Sequence, residues 1–252
     1  NSQLIVGSFY VASNGGHGFL RASDGPIKTY DAPGSAAGET GIDAVNSKGV
    51  FTGSYCDNDG NCPGFFQNSR GKFRSFNIDG SFGIEPYSIN DSGAIAGIFV
   101  DNNDTVHGFE RSADGVISTI DPPGSVETIP LAINSNNVIV GRYYDVTGEI
   151  HGFVKAADGT ITTINNPDGA QGTSARFIND KDEIIGRFID ANGQNHGFIL
   201  SANGRFKNFD PKNSVATYAV GINDDGLIVG DYTDKNNVSH GYLRTPINGI
   251  EV

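Results

Sequence analysis

All five histidines of the sequence occupy one recurring position: His17, His107, His151, His196 and His240 are each followed by Gly and then Phe or Tyr. Aspartates recur before this position, as Asp57, Asp101, Asp145, Asp190 and Asp234, and Asp31, Asn77, Asp121, Asn165 or Asp210 follows it. Imidazole beside carboxylate can ligate a metal, serve as a general base, or form a hydrogen bond that fixes the tautomer. With one such pair per repeat, on a strand about 10 Å from the innermost one, the histidines do not converge on one metal. Their expected role is structural, tying neighbouring strands within each repeat.

The second copy has Pro63 in place of His and alone carries cysteines, Cys56 and Cys62, flanking Asp57-Asn58-Asp59-Gly60-Asn61. Both stand at the mouth of one hairpin, where a disulfide can close a short loop and replace the missing His bridge. Such a bond implies an oxidising compartment. The same loop and its relatives offer oxygen ligands from Asp57, Asp59, Asp101 and Asp190, which makes calcium the one cofactor candidate. Calcium takes about six to eight oxygens, usually with a bidentate carboxylate beyond the loop. No acid recurs there at regular spacing, and Asx turns closing hairpins account for these residues. No cofactor is therefore expected.

Nucleophilic catalysis has no motif: there is no Gly-x-Ser-x-Gly elbow, His-Glu-x-x-His, Cys-x-x-Cys or phosphate-binding glycine loop. A pair of acids for glycoside cleavage can be assembled from Asp43 and Glu85.

The elements that position these groups follow from a repeat. A short apolar run ending in Gly recurs at Gly7, Gly53, Gly97, Gly141, Gly186 and Gly230, spaced by 46, 44, 44, 45 and 44 residues. The His or Pro position moves in lockstep. Each copy reads as four short strands, for example Pro86 to Ile89, Ala94 to Phe99, His107 to Glu110 and Val116 to Ile120, with tight turns at Asn90-Asp91-Ser92-Gly93 and Ala113-Asp114-Gly115. A longer crossover from Asp121 to Thr128 then leads onward. Four antiparallel strands per repeat of this length predict an all-β chain and a β-propeller with four-stranded blades. Residues 1–252 form one domain of six repeats, the first and last incomplete. Six blades is the expected number and five the alternative.

Aligned on Asn46, Asn90, Asn134, Asn179 and Asn223, the first strands keep their framework and vary at two positions. Three residues before the Asn stand Asp43, Tyr87, Leu131, Arg176 and Val220; five before it stand Gly41, Glu85, Ile129, Ser174 and Tyr218. Period two puts both positions on one strand face. Beside them on the second strand, Arg142, Arg187 and Asp231 follow the repeat Gly. Asp43, Glu85, Tyr87, Arg142, Arg176, Arg187 and Tyr218 are the expected ligand contacts.

The runs from Ile222 to Tyr232 (Ile-Asn-Asp-Asp-Gly-Leu-Ile-Val-Gly-Asp-Tyr) and from Asp145 to Phe153 (Asp-Val-Thr-Gly-Glu-Ile-His-Gly-Phe) resemble the bacterial extracellular HAF repeats. The resemblance covers nearly the whole chain, with Gly where the family's name has Ala. It implies an exported bacterial protein and carries no shared catalytic mechanism.

Glycine contributes 35 of 252 residues, which the repeat explains, and charged residues only 18%. A net charge of -12 repels phosphate backbones and anionic bilayers, so nucleic acid is not an expected partner. No apolar run is long enough for a membrane span. The expectation is a secreted, non-enzymatic binding module for a glycan or protein ligand. The alternative is an extracellular polysaccharide hydrolase or lyase with Asp43 and Glu85 in an axial acidic pocket.

Overall fold

The structure is a computed structural model that describes residues 4–13, 15–246 and 249–251. These residues form strands and turns, with no helix among them. The strands make six antiparallel sheets: sheet 1 (residues 4–30) has three strands, and sheets 2 (40–76), 3 (81–120), 4 (125–164), 5 (172–209) and 6 (214–251) have four each. Sheet 1 starts at the position of a second strand. Sheet 6 closes with Gly249–Glu251 paired on Ser239–Thr245, so the terminal fragment is a true fourth strand.

The chain divides into two compact units, residues 1–121 with sheets 1 to 3 and residues 122–252 with sheets 4 to 6. Within each unit neighbouring sheets pack face to face. In the first, Ile42, Phe51 and Phe65 of sheet 2 meet Leu4, Val6, Leu20 and Tyr30 of sheet 1. Its second cluster brings Ile84, Ile95, Phe99 and Phe109 of sheet 3 against Ala44, Phe66 and Phe76 of sheet 2. In the second unit, Ala132 and Val140 pack on Ala175, Ile184 and Phe198, and Ile185 packs on Ala219, Ile228 and Tyr242. The aromatic after His-Gly (or Pro-Gly) is fully buried in sheets 2 to 5: Phe65, Phe109, Phe153 and Phe198 have no exposed surface. Each such ring contributes roughly 1.5–3 kcal/mol through burial.

Hydrogen bonds also join the sheets. Asn179 Oδ1 accepts the N–H groups of Lys181 and Glu183, which closes its own turn, while Nδ2 donates to the Asn223 carbonyl of the next sheet at 3.1 Å. Asn134 reaches the Asn179 carbonyl in the same way, and in the first unit Asn46 reaches that of Asn90. The recurrent Asn is therefore a turn closure and an inter-sheet tie at once.

The crossovers are shorter than the sequence suggests. The first strand of sheet 4 runs Ser125–Ile133, and that of sheet 3 runs Ser81–Ile89. A register irregularity at Ser81/Gly83 and at Ser125/Glu127 absorbs the misfit, so pairing resumes immediately after the turn.

Candidate functional site

All five first strands carry an irregularity at one repeat position, in sheets 3, 4 and 6 in addition to the one near the strand start. Pairing skips from Ile42 to Ala44, Pro86 to Ser88, Pro130 to Ala132, Ala175 to Phe177 and Ala219 to Gly221. The bulged residues are Asp43, Tyr87, Leu131, Arg176 and Val220, one of the two variable positions of the repeat. A bulge leaves its extra residue out of the ladder and re-aims the side chain. Pro86 and Pro130, which have no N–H to donate, are accommodated beside it.

The bulge accounts for the repeat Gly. Each strand-two Gly lies opposite it, and the carbonyl oxygen one residue before the paired position occupies the place a Gly side chain would need. A Cβ on Gly53, Gly97, Gly141, Gly186 or Gly230 would stand 2.0–2.2 Å from the carbonyl oxygen of Gly41, Glu85, Ile129, Ser174 or Tyr218. No side chain fits there.

In the first unit the bulges gather acids. Tyr87 donates its O–H to Glu85 Oε2 at 2.6 Å, so the two variable positions do meet on one face of the strand. Asp43, from the neighbouring sheet, has its protonation midpoint raised to about 7, first by desolvation and then by the negative charge of Glu85. Its side chain still touches water, so the desolvation comes from protein crowded around an accessible carboxyl rather than from complete burial. A cavity of about 240 Å³ beside Glu85 is lined by Ser54, the two cysteines, Phe82 and Ile98. A larger apolar cleft of about 430 Å³, lined by Leu4, Leu20, Phe51 and Gly71, lies at the turns and touches none of the variable residues.

In the second unit the same positions gather arginines. Arg142 and Arg187, each directly after the repeat Gly, pair with Ile129 and Ser174, and Asp231 pairs with Tyr218. The bulged Arg176 has its guanidinium pKa lowered by burial first and then by Arg142 and Arg187, with Asp231 and Tyr218 opposing. Arg187 lies 5.7 Å from the centre of the Tyr218 ring and donates to Asn195 Oδ1. The Nε atoms of Arg142 and Arg187 and the Ser174 hydroxyl are buried with no hydrogen-bond partner among the described residues. Ser174 held a variable position in sequence but gave no other signal, and Asn195 gave none; both are placed by folding alone.

The histidines bridge strands in their own sheets. Nδ1 of His17, His107 and His196 lies 2.7–2.8 Å from Asp31, Asp121 and Asp210, and that of His151 lies 3.2 Å from Asn165. On the other side Nε2 of His151 and His240 lies 3.2 and 3.1 Å from Asp145 and Asp234. The corresponding distances for His107 to Asp101 and His196 to Asp190 are 3.6 Å, an ion-pair approach. Each ring also packs against the aromatic opposite, as His151 does on Tyr143 with centroids 5.0 Å apart. Cys56 and Cys62 form a disulfide in the sheet that lacks the His.

The oxygen-rich loops are closed by their own backbones. Asp57 Oδ1 accepts from the N–H groups of Asp59 and Asn61, Asp101 Oδ1 from Asn103 and Thr105, and Asp190 Oδ1 from Asn192 and Gln194. Among the described residues, Asp145, Glu149 and His151 bring three ligand atoms within 4.8 Å. Asp145 Oδ1 there accepts N–H groups from Thr147 and Glu149, and the Thr147 hydroxyl above all holds this carboxyl far below its ordinary range.

No protein-family model matches the sequence, and no curated protein does either. Solved structures do match. A catalytically inactive virginiamycin B lyase from Staphylococcus aureus, solved with quinupristin, is 18% identical with a TM-score of 0.59, over 98% of this chain and 87% of that one. The Aleuria aurantia lectin in complex with alpha-methyl-L-fucoside is 10% identical with a TM-score of 0.52, over 99% and 93% of the two chains. A lectin from Burkholderia pseudomallei is 13% identical with a TM-score of 0.53, over 99% and 82%. These are β-propeller proteins, and at such identities the likeness is one of fold. The class is thus an all-β, propeller-like protein whose repeats carry a bulge at one of their two variable positions.

Proposed function

We propose that this chain is a secreted six-bladed β-propeller that binds a glycan or protein ligand through its bulged first-strand positions and does not turn it over. The observation that carries the reading is the contrast at the bulge. Five copies of one backbone irregularity, each matched by an invariant Gly, present Asp43, Tyr87, Leu131, Arg176 and Val220. A scaffold that repeats one bulge and varies the side chain it re-aims is organised for recognition. The lectins among its fold relatives and the disulfide, which suits an oxidising compartment, are consistent with it. Glycan-array binding by the full chain, weakened by Tyr87→Ala or Arg176→Ala, with no new reducing ends, is the expected result. An array on which the chain binds nothing, with no protein ligand retained from extracellular extracts, overturns the proposal.

One observation favours a second reading. Asp43, whose midpoint burial and the charge of Glu85 raise to about 7, offers the kind of raised acid that glycoside cleavage uses. Release of reducing ends that disappears with Asp43→Asn or Glu85→Gln would establish a hydrolase or lyase instead.

A further inference from the structure

Three cationic side chains of the second unit share one environment, and none of them is ion-paired to a carboxylate among the described residues. Arg176 feels Arg142 and Arg187 as its principal charged neighbours, with Asp231 opposing them. Like charges brought together on half-buried stems oppose folding unless a ligand neutralises them. A second observation is independent of charge. Ser174 is 2% exposed, pairs directly with Arg187, precedes Arg176 by two residues on the same strand, and leaves its hydroxyl without a partner among the described residues. Buried hydroxyls are ordinarily hydrogen-bonded.

The complement of this arrangement is specific. Guanidinium edges select a carboxylate or sulfate. Asp231, beside Tyr218 and the arginines, accepts hydrogen bonds and repels a bare oxyanion. A ligand that carries its anionic group and hydroxyl donors on one small ring satisfies both.

We propose that Arg142, Arg176, Arg187 and Ser174 form a subsite for the carboxylate of a uronic acid residue in an acidic polysaccharide, with Asp231 accepting from a neighbouring sugar hydroxyl. The inference rests on the binding-module reading and names its ligand class. It also reconciles an acidic ligand with a chain of net charge -12, because recognition depends on local contacts rather than on the long-range field.

The test is calorimetric titration of the full chain with trigalacturonate, galactotriose, inorganic sulfate and a short polyglutamate. Trigalacturonate is expected to bind and galactotriose to bind at least about tenfold more weakly, the scale of one lost charge-assisted contact. Arg176→Gln and Arg142→Gln are each expected to weaken trigalacturonate about tenfold or more while leaving the melting temperature unchanged or higher. Arg176→Lys, which keeps the charge and the fold, is expected to recover part of the affinity. Absence of trigalacturonate binding, or binding untouched in both Gln variants, overturns the subsite. So does arginine-dependent binding of sulfate or polyglutamate at equal strength. Galactotriose binding alone would overturn the uronate subsite and leave the binding module standing. Arginine-dependent binding of trigalacturonate accompanied by its cleavage would keep the subsite and overturn the non-enzymatic reading.

Discussion

The carbonyl oxygen of Glu85 stands 2.1 Å from the point that a Cβ on Gly97 would occupy. The contact couples the two strands that carry the variable residues, since Glu85 bears one of them and the bulged Tyr87 lies two residues on. Gly97→Ala must push a backbone carbonyl aside, and a loss on the order of 3 kcal/mol is expected, at the upper end for overpacking. Urea unfolding measures it. A loss below about 1 kcal/mol would show that the bulge yields and is not a fixed device.

Asn179 is 4% exposed and holds four hydrogen-bonding groups: two turn N–H groups, the Asn223 carbonyl and Glu183 Oε2. Asn179→Ala leaves those groups unsatisfied at about 1–3 kcal/mol per buried partner. A drop of roughly 2–3 kcal/mol is expected, because water reaches part of the turn. Asp180→Ala removes only an exposed tie to Ser135 and is expected to cost under about 1 kcal/mol by the same denaturation.

Asp43 makes stability depend on pH in a defined direction. Its folded midpoint, about 7, lies above the unfolded value near 3.9, so the folded state binds the proton more tightly. Stability attributable to this group is fully present below about pH 4 and declines as pH rises to about 7, then levels off. Solvent contact of the carboxyl makes the loss smaller than the full shift would imply. Asp43→Asn should flatten melting temperature between pH 4 and 8, and Glu85→Gln should lower the Asp43 midpoint seen by carbon-13 carboxyl titration. A midpoint that stays put with Glu85→Gln would exclude charge coupling between them.

His151 packs on Tyr143 and contacts Asn165 and Asp145, so it ties three neighbouring strands. His151→Ala is expected to cost roughly 1–2 kcal/mol, from the lost ring contact and hydrogen bonds, and to leave ligand affinity intact. A melting point equal to that of the parent would refute the bridging role.

Reduction of the Cys56–Cys62 bond tests the equivalent tie in the sheet without His. The bond closes a short loop, with a sequence separation of 6, for which chain entropy gives roughly 2–2.5 kcal/mol. Cys56→Ser with Cys62→Ser should lower stability by about that amount in chemical denaturation. The loop itself should keep its Asx turn, because the Asp57 carboxyl still accepts the N–H groups of Asp59 and Asn61.

Much of this architecture was legible in the sequence because it is local and repeated. The Gly-to-His spacing, the tight turns and the cysteine hairpin each depend on residues close together in the chain, and six copies average out accident. The acid pair Asp43 and Glu85 was legible as a candidate but not as a geometry, since sequence gives no distance between them. The strand periodicity that put positions three and five before the Asn on one face left out the bulge. A bulge is invisible in one strand, being a misfit in pairing between two.

The sequence by itself determined an all-β repeat, its turn chemistry, the disulfide partners and the positions free to vary, because these follow from backbone dihedrals and short-range spacing. Only the tertiary structure decided that the variable residue is extruded by a bulge, that the repeat Gly exists to admit a carbonyl, and that the buried Ser174 lies across the ladder from Arg187. Those outcomes depend on which strands meet and in what register, so long-range packing set them and no local preference could.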